Sequence, residues 1–339
     1  VAVDQIYSTY NKDNGYNPVI VQLNRAAKPV LTNVEEEAVK DLFEFHEITY
    51  NEFTLEPGNL SHWVNQNTYQ PGDQMVVFLE QGFFSVWANY FRPKGVKLIL
   101  APDGNKPYYI VTAKAYPSRL RGTFTIYRFL AKFGYYLTKP YFQSLNYGEL
   151  GRLDEIWVRY PKKYKGSRQD LVKQFSLFNN YHEQHPLNKI YGIQAKLDGI
   201  ELNRTILYVN NILYEEELYL EEIKVLQYLR DRFPQSSFYL KYHPTTPIKH
   251  LERFKAVTNL QLLSTPVPVE LFIQNMQNSI IIGMWSAGLM LDNPSCSFYW
   301  LNRYLEHKGM MLKRINLSNP TKHIQEPIEL AEIDFPKLT

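Results

Sequence analysis

Short apolar runs bounded by polar or turn-forming residues alternate along this chain with longer stretches in which apolar positions recur every three or four residues. Pro18–Leu23, Met75–Leu79 and Val96–Ala101 are apolar runs of strand length, and Val34–Phe45 and Phe83–Phe91 carry helical spacing between them. The second half repeats the pattern, with strands expected at Thr205–Val209, Ser237–Leu240, Leu260–Leu263 and Ser279–Ile282 and helices at Glu215–Arg232 and Val269–Met276. Strand, helix and strand joined by short connections predict parallel βαβ units. Between the halves, Lys162–Leu197 is polar and mixed, punctuated by Pro186 and Gly192. A chain of 339 residues also exceeds the usual size of a single core. The pattern therefore predicts an α/β protein of two domains, 1–190 and 191–339, with a ligand cleft between facing sheets.

Composition narrows the class. Hydrophobic residues make up 45% of the chain and charged residues 21%, as in an ordinary globular protein. The single cysteine, Cys296, allows no intrachain disulfide and favours a reducing compartment, where sequons at Asn59, Asn203 and Asn316 would be chance matches. No signal peptide pattern opens the chain and no apolar run nears the ~18 residues of a membrane span, so a soluble, cytoplasmic protein is expected. A net charge of +3 supplies no global field for nucleic acid, which is not expected as a partner. The charge is uneven, however. Between Tyr108 and Tyr141 lie Lys114, Arg119, Arg121, Arg128, Lys132 and Lys139 with no acid, interleaved with tyrosines and phenylalanines. Such a stretch suits an anionic glycan, single-stranded nucleic acid or a lipid headgroup surface, the last giving peripheral inner-membrane contact through 108–141. It equally suits a solvated helix face over a buried aromatic stripe.

Several chemistries fall away on the letters alone. Gly-x-Gly-x-x-Gly and Gly-x-x-x-x-Gly-Lys-Ser/Thr are both absent, and no Asp-x-Asp, His-x-x-x-His or cysteine cluster offers a metal cage, so no metal and no cofactor is expected. Gly283-Met284-Trp285-Ser286-Ala287-Gly288 approaches a hydrolase nucleophile elbow, but its first glycine stands three residues before Ser286 instead of two, leaving a Ser286 hydrolase as a minor alternative.

What remains is a set of polar residues at expected strand ends. Lys241-Tyr242-His243-Pro244 follows the run Ser237–Leu240, and Pro244 ends that strand by withholding a ladder donor, so His243 projects where ligands of open α/β sheets collect. A loop histidine satisfied by its neighbours is the plainer alternative. A second pair, His185-Pro186, follows no strand, so context and not the dipeptide carries the signal. Asp103-Gly104 follows Val96–Ala101, where an ordinary turn would also place it, Ser286 follows Ser279–Ile282, and Glu270 opens a helix after a proline-rich turn. An acid on one domain could take a proton from an acceptor hydroxyl while an imidazole, a hydroxyl and helix amides on the other hold a phosphate leaving group.

In this order, Asp-Gly, His-Pro, a Pro-rich turn with Glu and Gly-x-x-Ser, the chain resembles the bacterial GT-B type sialyltransferases over roughly Met75–Gly104 and Thr205–Leu291. The resemblance implies two Rossmann-like domains, the first binding acceptor and the second a CMP-sugar donor. It also implies metal-independent, inverting transfer of sialic acid to a glycan hydroxyl of lipooligosaccharide or capsule, an acceptor that could be lipid-linked. Carried over, it makes Asp103 the general base and Gly104 a point of close backbone approach. His243, the second catalytic residue, would hold or protonate the donor phosphate and Ser286 would hydrogen-bond it, Glu270 would accept from the ribose hydroxyls, and Lys241 and Pro244 would border the cytosine. Asn210 and Asn211 would reach the donor carboxylate or hydroxyls. Pro102 stands where the family has a first acid and Ala287 where it has a second serine, which makes Glu80, after the neighbouring strand, the reserve base. The alternatives are a transferase of the same fold using CMP-Kdo or a CDP-polyol, and a non-catalytic glycan- or nucleotide-binding protein.

Overall fold

The computed structural model describes residues 19–25, 44–50, 66–77, 91–102, 104, 106–111, 147–148, 153–174, 186–211, 215–243, 246–264, 267–310 and 315–337. It divides into two units, one of Val1–Val30, His46–Leu177 and Leu312–Pro320, the other of Leu31–Phe45, Phe178–Met311 and Thr321–Thr339. The chain passes between these units five times, where the sequence pattern suggests a single boundary near 190.

Strands β1 (Val19–Arg25) and β2 (Glu44–Tyr50) pair with each other. Glu44 and Phe45 are therefore extended, where the sequence pattern predicts the end of a helix; the rest of that helix, 34–43, lies outside the described residues, as does 83–90 of the second. The first unit's sheet contains β3 (Gln74–Val77) and β4 (Lys97–Leu100), paired in parallel with Met75 opposite Leu98, as the βαβ pattern predicts. Next in the chain comes β5 (Tyr109–Val111). The sheet then continues through β6 (Glu155–Val158) to β7 (Val172–Gln174), all parallel. Leu100, Ile156 and Val158 project from it into a core closed by Tyr147, Leu153 and Tyr164. The Tyr164 hydroxyl donates to the Tyr147 carbonyl at 2.6 Å, so the one polar atom this ring brings into the core is bonded.

The larger segment of the second unit carries two short helices ahead of its sheet, α1 (Pro186–Ile190) and α2 (Ile193–Leu197). Pro186 is the first residue of α1, a position whose missing N–H costs nothing, and that is the use made of the second His-Pro pair. The sheet begins at β8 (Ile206–Val209), and α3 (Glu216–Arg232) follows with Glu216 and Glu217 in its first turn and Arg230 and Arg232 in its last, each complementing the helix dipole. Leu218, Glu222, Val225 and Leu229 recur at helical spacing on its buried face. Then come β9 (Phe238–Lys241), α4 (Ile248–Lys255), β10 (Leu260–Leu263), α5 (Val269–Asn275), β11 (Ile280–Gly283), β12 (Ser297–Trp300) and α6 (Asn302–His307). After them β13 (Ile315–Leu317) pairs antiparallel with β5 in the first unit, and β14 (Ile324–Gln325) returns to the second.

The six strands stand in the order β10-β9-β8-β11-β12-β14, all parallel. In chain order that is 3-2-1-4-5-6, the doubly wound arrangement, with its reversal between β8 and β11. Every residue of β8, β11 and β12 is buried, as parallel strands covered on both faces must be. Among the described residues no helix is long and apolar enough to cross a membrane.

Candidate functional site at the reversal of strand order

Where strand order reverses, the connections after the two central strands leave in opposite directions and open a crevice at their carboxyl ends. Three strands here end in residues singled out from sequence: β8 runs into Asn210-Asn211, β9 into Lys241-Tyr242-His243, and β11 into Gly283-Met284-Trp285-Ser286. Glycine at 283 permits the approach. A Cβ there would stand 2.7 Å from the Val209 carbonyl oxygen, so any larger residue would push the ends of β8 and β11 apart. Asn211 then bridges the reversal, its Oδ1 accepting from the Trp285 N–H at 3.4 Å.

Ser286 precedes a single 3-10 turn, Ala287–Met290, and its carbonyl accepts from the Trp300 indole at 3.1 Å. Its backbone is ordinary extended chain, φ −65° and ψ 133°. A nucleophile elbow requires a strained turn at the serine, so the hydrolase alternative lacks its defining geometry. Gly288 lets this turn sit against the start of α5, since a Cβ would come within 2.3 Å of a Val269 methyl. Glu270 lies one residue further, in the first turn of α5.

Lys241, His243 and Glu270 form an electrostatic group. Burial, partly offset by Glu270, pulls the Lys241 ammonium down to about 8. Burial first, and the neighbouring Lys241 second, holds the His243 imidazole below its ordinary range, so it is neutral at pH 7 and can donate one ring N–H. Tyr191, between α1 and α2, joins the group: burial and the Glu270 charge push its phenol up to about 12. It lies in the polar stretch around residue 190, where only the Tyr191-Gly192 pair, an aromatic before a turn glycine, marks it in the sequence.

Asn210 is placed differently from the sequence expectation. It is 3% exposed, and its amide is used within the fold. Nδ2 donates to both oxygens of Glu222 at 3.0 Å, while Oδ1 accepts from the Thr246 hydroxyl at 2.9 Å and from the His243 N–H at 3.4 Å. Glu222 and Thr246 are thus part of the site's support. The signal for Glu222 is an acid interrupting the apolar stripe of α3 between Leu218 and Val225.

Gly104 is exposed with φ 99°, a conformation open to glycine, and Pro102 before it is buried. Asp103, Glu80, Pro244 and the basic stretch Lys114–Lys139 lie outside the described residues. Among the described residues no group of three or more His, Cys, Asp or Glu could hold a metal ion.

No protein-family model matches the chain, and no curated protein matches it significantly. Among solved structures it is similar to a sialyltransferase from Photobacterium damselae, residues 113–497 corresponding to the GT-B domain, with 11% identity over 77% of this chain and 78% of that one and a TM-score of 0.46. It is similar also to the S. aureus MnaA–UDP co-structure, with 13% identity over 82% of this chain and 76% of that one and a TM-score of 0.41.

Proposed function

We propose that the chain is a metal-independent, inverting glycosyltransferase of GT-B type that transfers sialic acid from CMP-sialic acid to a hydroxyl of a bacterial surface glycan. The observation that supports this reading is the strand order: Asn211 and Ser286 follow β8 and β11, the two strands at the reversal, and His243 follows the adjacent β9, at the sheet edge nucleotides occupy in doubly wound sheets. The neutral His243 imidazole donates to the departing phosphate, the Ser286 hydroxyl donates beside it, and Lys241 gains its proton as the anion arrives. Glu270 accepts from the ribose hydroxyls, and Pro244 borders the cytosine. Asp103, or Glu80 in its place, takes the acceptor's proton. The acceptor oxygen then bonds to the anomeric carbon as the bond to phosphate breaks, and the electron pair leaves on CMP. Gly104 gives the reacting sugars room beside the backbone. The basic aromatic stretch Lys114–Lys139 supports a lipid-linked or anionic acceptor reached from the cytoplasmic face of the inner membrane.

Mass spectrometry of products formed from CMP-sialic acid with a panel of galactosides and sialosides tests the reading. CMP release and a sialylated product are expected. His243→Ala and Asp103→Asn should each lower turnover by roughly two to four orders of magnitude while the fold is kept. The assigned residues surround the phosphate more than the sugar, so CMP-Kdo and a CDP-polyol belong in the same screen. Turnover of one of these and not of CMP-sialic acid overturns the sialyl assignment, and turnover unchanged from the unmodified chain in both variants overturns the mechanism.

A further inference from the structure

Glu222 is a carboxyl at 0% exposure on a helix whose buried face is otherwise mostly apolar. Its neighbour Glu221 is also buried but is met by the Tyr304 hydroxyl at 2.6 Å and by Lys224 at 3.0 Å; although burial raises its pKa, those partners hold it below the ordinary value. Among the described residues Glu222 meets no such cation. Burial pushes its carboxyl up to about 8 against the pull of Asn210 and Tyr208, the titratable group facing it, whose own phenol burial and Glu222 drive upward. A neutral acid in that place is costlier than a leucine, and what it does there is hold one amide.

The orientation of that amide is forced. The His243 N–H can only donate, so the Asn210 atom it meets must be Oδ1, which turns Nδ2 toward Glu222. Oδ1 also receives the Thr246 hydroxyl, and the Thr246 N–H donates to the His243 carbonyl at 2.8 Å. Asn210 thus holds both His243 and Thr246, and its own N–H is tied to the Lys241 carbonyl at 3.0 Å.

We propose that Asn210 and Glu222 are positioning residues, a buried amide–carboxyl pair that fixes His243 and Thr246 in place and so aims the His243 imidazole at the donor phosphate. This rests on the function proposed above for His243, but the geometry it asserts can be tested without turnover.

Glu222→Leu takes both acceptors from Asn210 Nδ2, whereas Glu222→Gln keeps one. In the full chain, NMR should show faster exchange of the His243 amide and an altered imidazole titration in Glu222→Leu, and values near those of the unmodified chain in Glu222→Gln. CMP affinity and kcat should fall about 10-fold in Glu222→Leu, the order of effect of one lost orienting hydrogen bond, with the acceptor KM unchanged. Thr246→Val, which removes one donor to Oδ1, provides the same test if Glu222→Leu does not fold. Unchanged His243 exchange and titration in the folded variants overturns the positioning role, whatever happens to activity. Altered His243 signals in a chain that turns over no CMP-sugar uphold the role and overturn the proposed function instead.

Discussion

Two titrations shifted in opposite directions, Lys241 down and Glu222 up, act on different properties of the protein. Lys241, held down to about 8 chiefly by burial, is half neutral near that pH, and a bound phosphate would favour its protonated form. CMP binding at pH 8 should therefore take up protons, and affinity should fall as pH rises from about 8 toward the higher pKa of the bound state; calorimetry in buffers of different ionisation enthalpy reads both. An absence of proton uptake would place Lys241 away from the phosphate. Glu222 acts on stability. Its carboxyl titrates near 4.5 in the unfolded chain and at about 8 in the folded one, so between those values the folded state keeps a proton that the unfolded state has released. Stability falls through that window as pH rises and levels off above it. Glu222→Gln removes the titration and should raise stability at pH 8 by a few kcal/mol, since each tenfold difference in proton affinity is worth about 1.4 kcal/mol, with little change at pH 4. A thermal midpoint for Glu222→Gln at or below that of the unmodified chain at pH 8 would argue for an ionised, stabilising carboxylate.

Elements of the second unit are legible where burial is total. Ile206–Val209, Phe238–Leu240 and Ile280–Gly283 are buried runs without a charge, and Glu216–Arg232 shows its stripe and its end charges in the letters. Ser297–Trp300 gives no such signal, because a four-residue run that opens on serine and ends in three aromatics has no period to betray it. Val19–Arg25 reads as a strand, but its pairing with Glu44–Tyr50 is hidden because Phe43–Phe45 fits a helical stripe as well as it fits an extended one. The site divides the same way. Strand-end position marks His243 and Ser286, whereas the inward turn of Asn210 follows from Thr246 and Glu222, 36 and 12 residues away along the chain. At this scale the sensitive point is the seam between β8 and β11. Gly283→Ala must displace a backbone carbonyl, and the expected loss is about 1–3 kcal/mol, typical of overpacking, together with weaker CMP binding. Chemical denaturation and a CMP titration check it, and unchanged stability would mean that the strand ends separate freely.

In the whole molecule the chain crosses between units more than once, and the last crossings fall near its C-terminal end. Ile315–Leu317 pairs with Tyr109–Val111 in the first unit, and Ile324–Gln325 completes the six-stranded sheet of the second. Beyond it, Arg232 donates to the Ala331 carbonyl at 2.7 Å, Tyr299 donates to the Asp334 carbonyl at 3.0 Å, and Phe335 meets Phe233 edge to face. A chain ended at Met311 should therefore show a lower thermal midpoint for both units, and a loss confined to one would show that the segment serves that unit alone. The reversal of strand order has a further consequence, for the time at which the site comes into being. Asn211 and Trp285, which meet across it, are 74 residues apart, and β8 gains β11 as its neighbour only after α3, β9, α4, β10 and α5 have been made. Contacts so distant in sequence carry a large loop-closure cost and form slowly. On the ribosome the crevice cannot exist until most of the second unit has emerged, so a nucleotide that binds there recognises, and stabilises by mass action, only chains that have closed that seam.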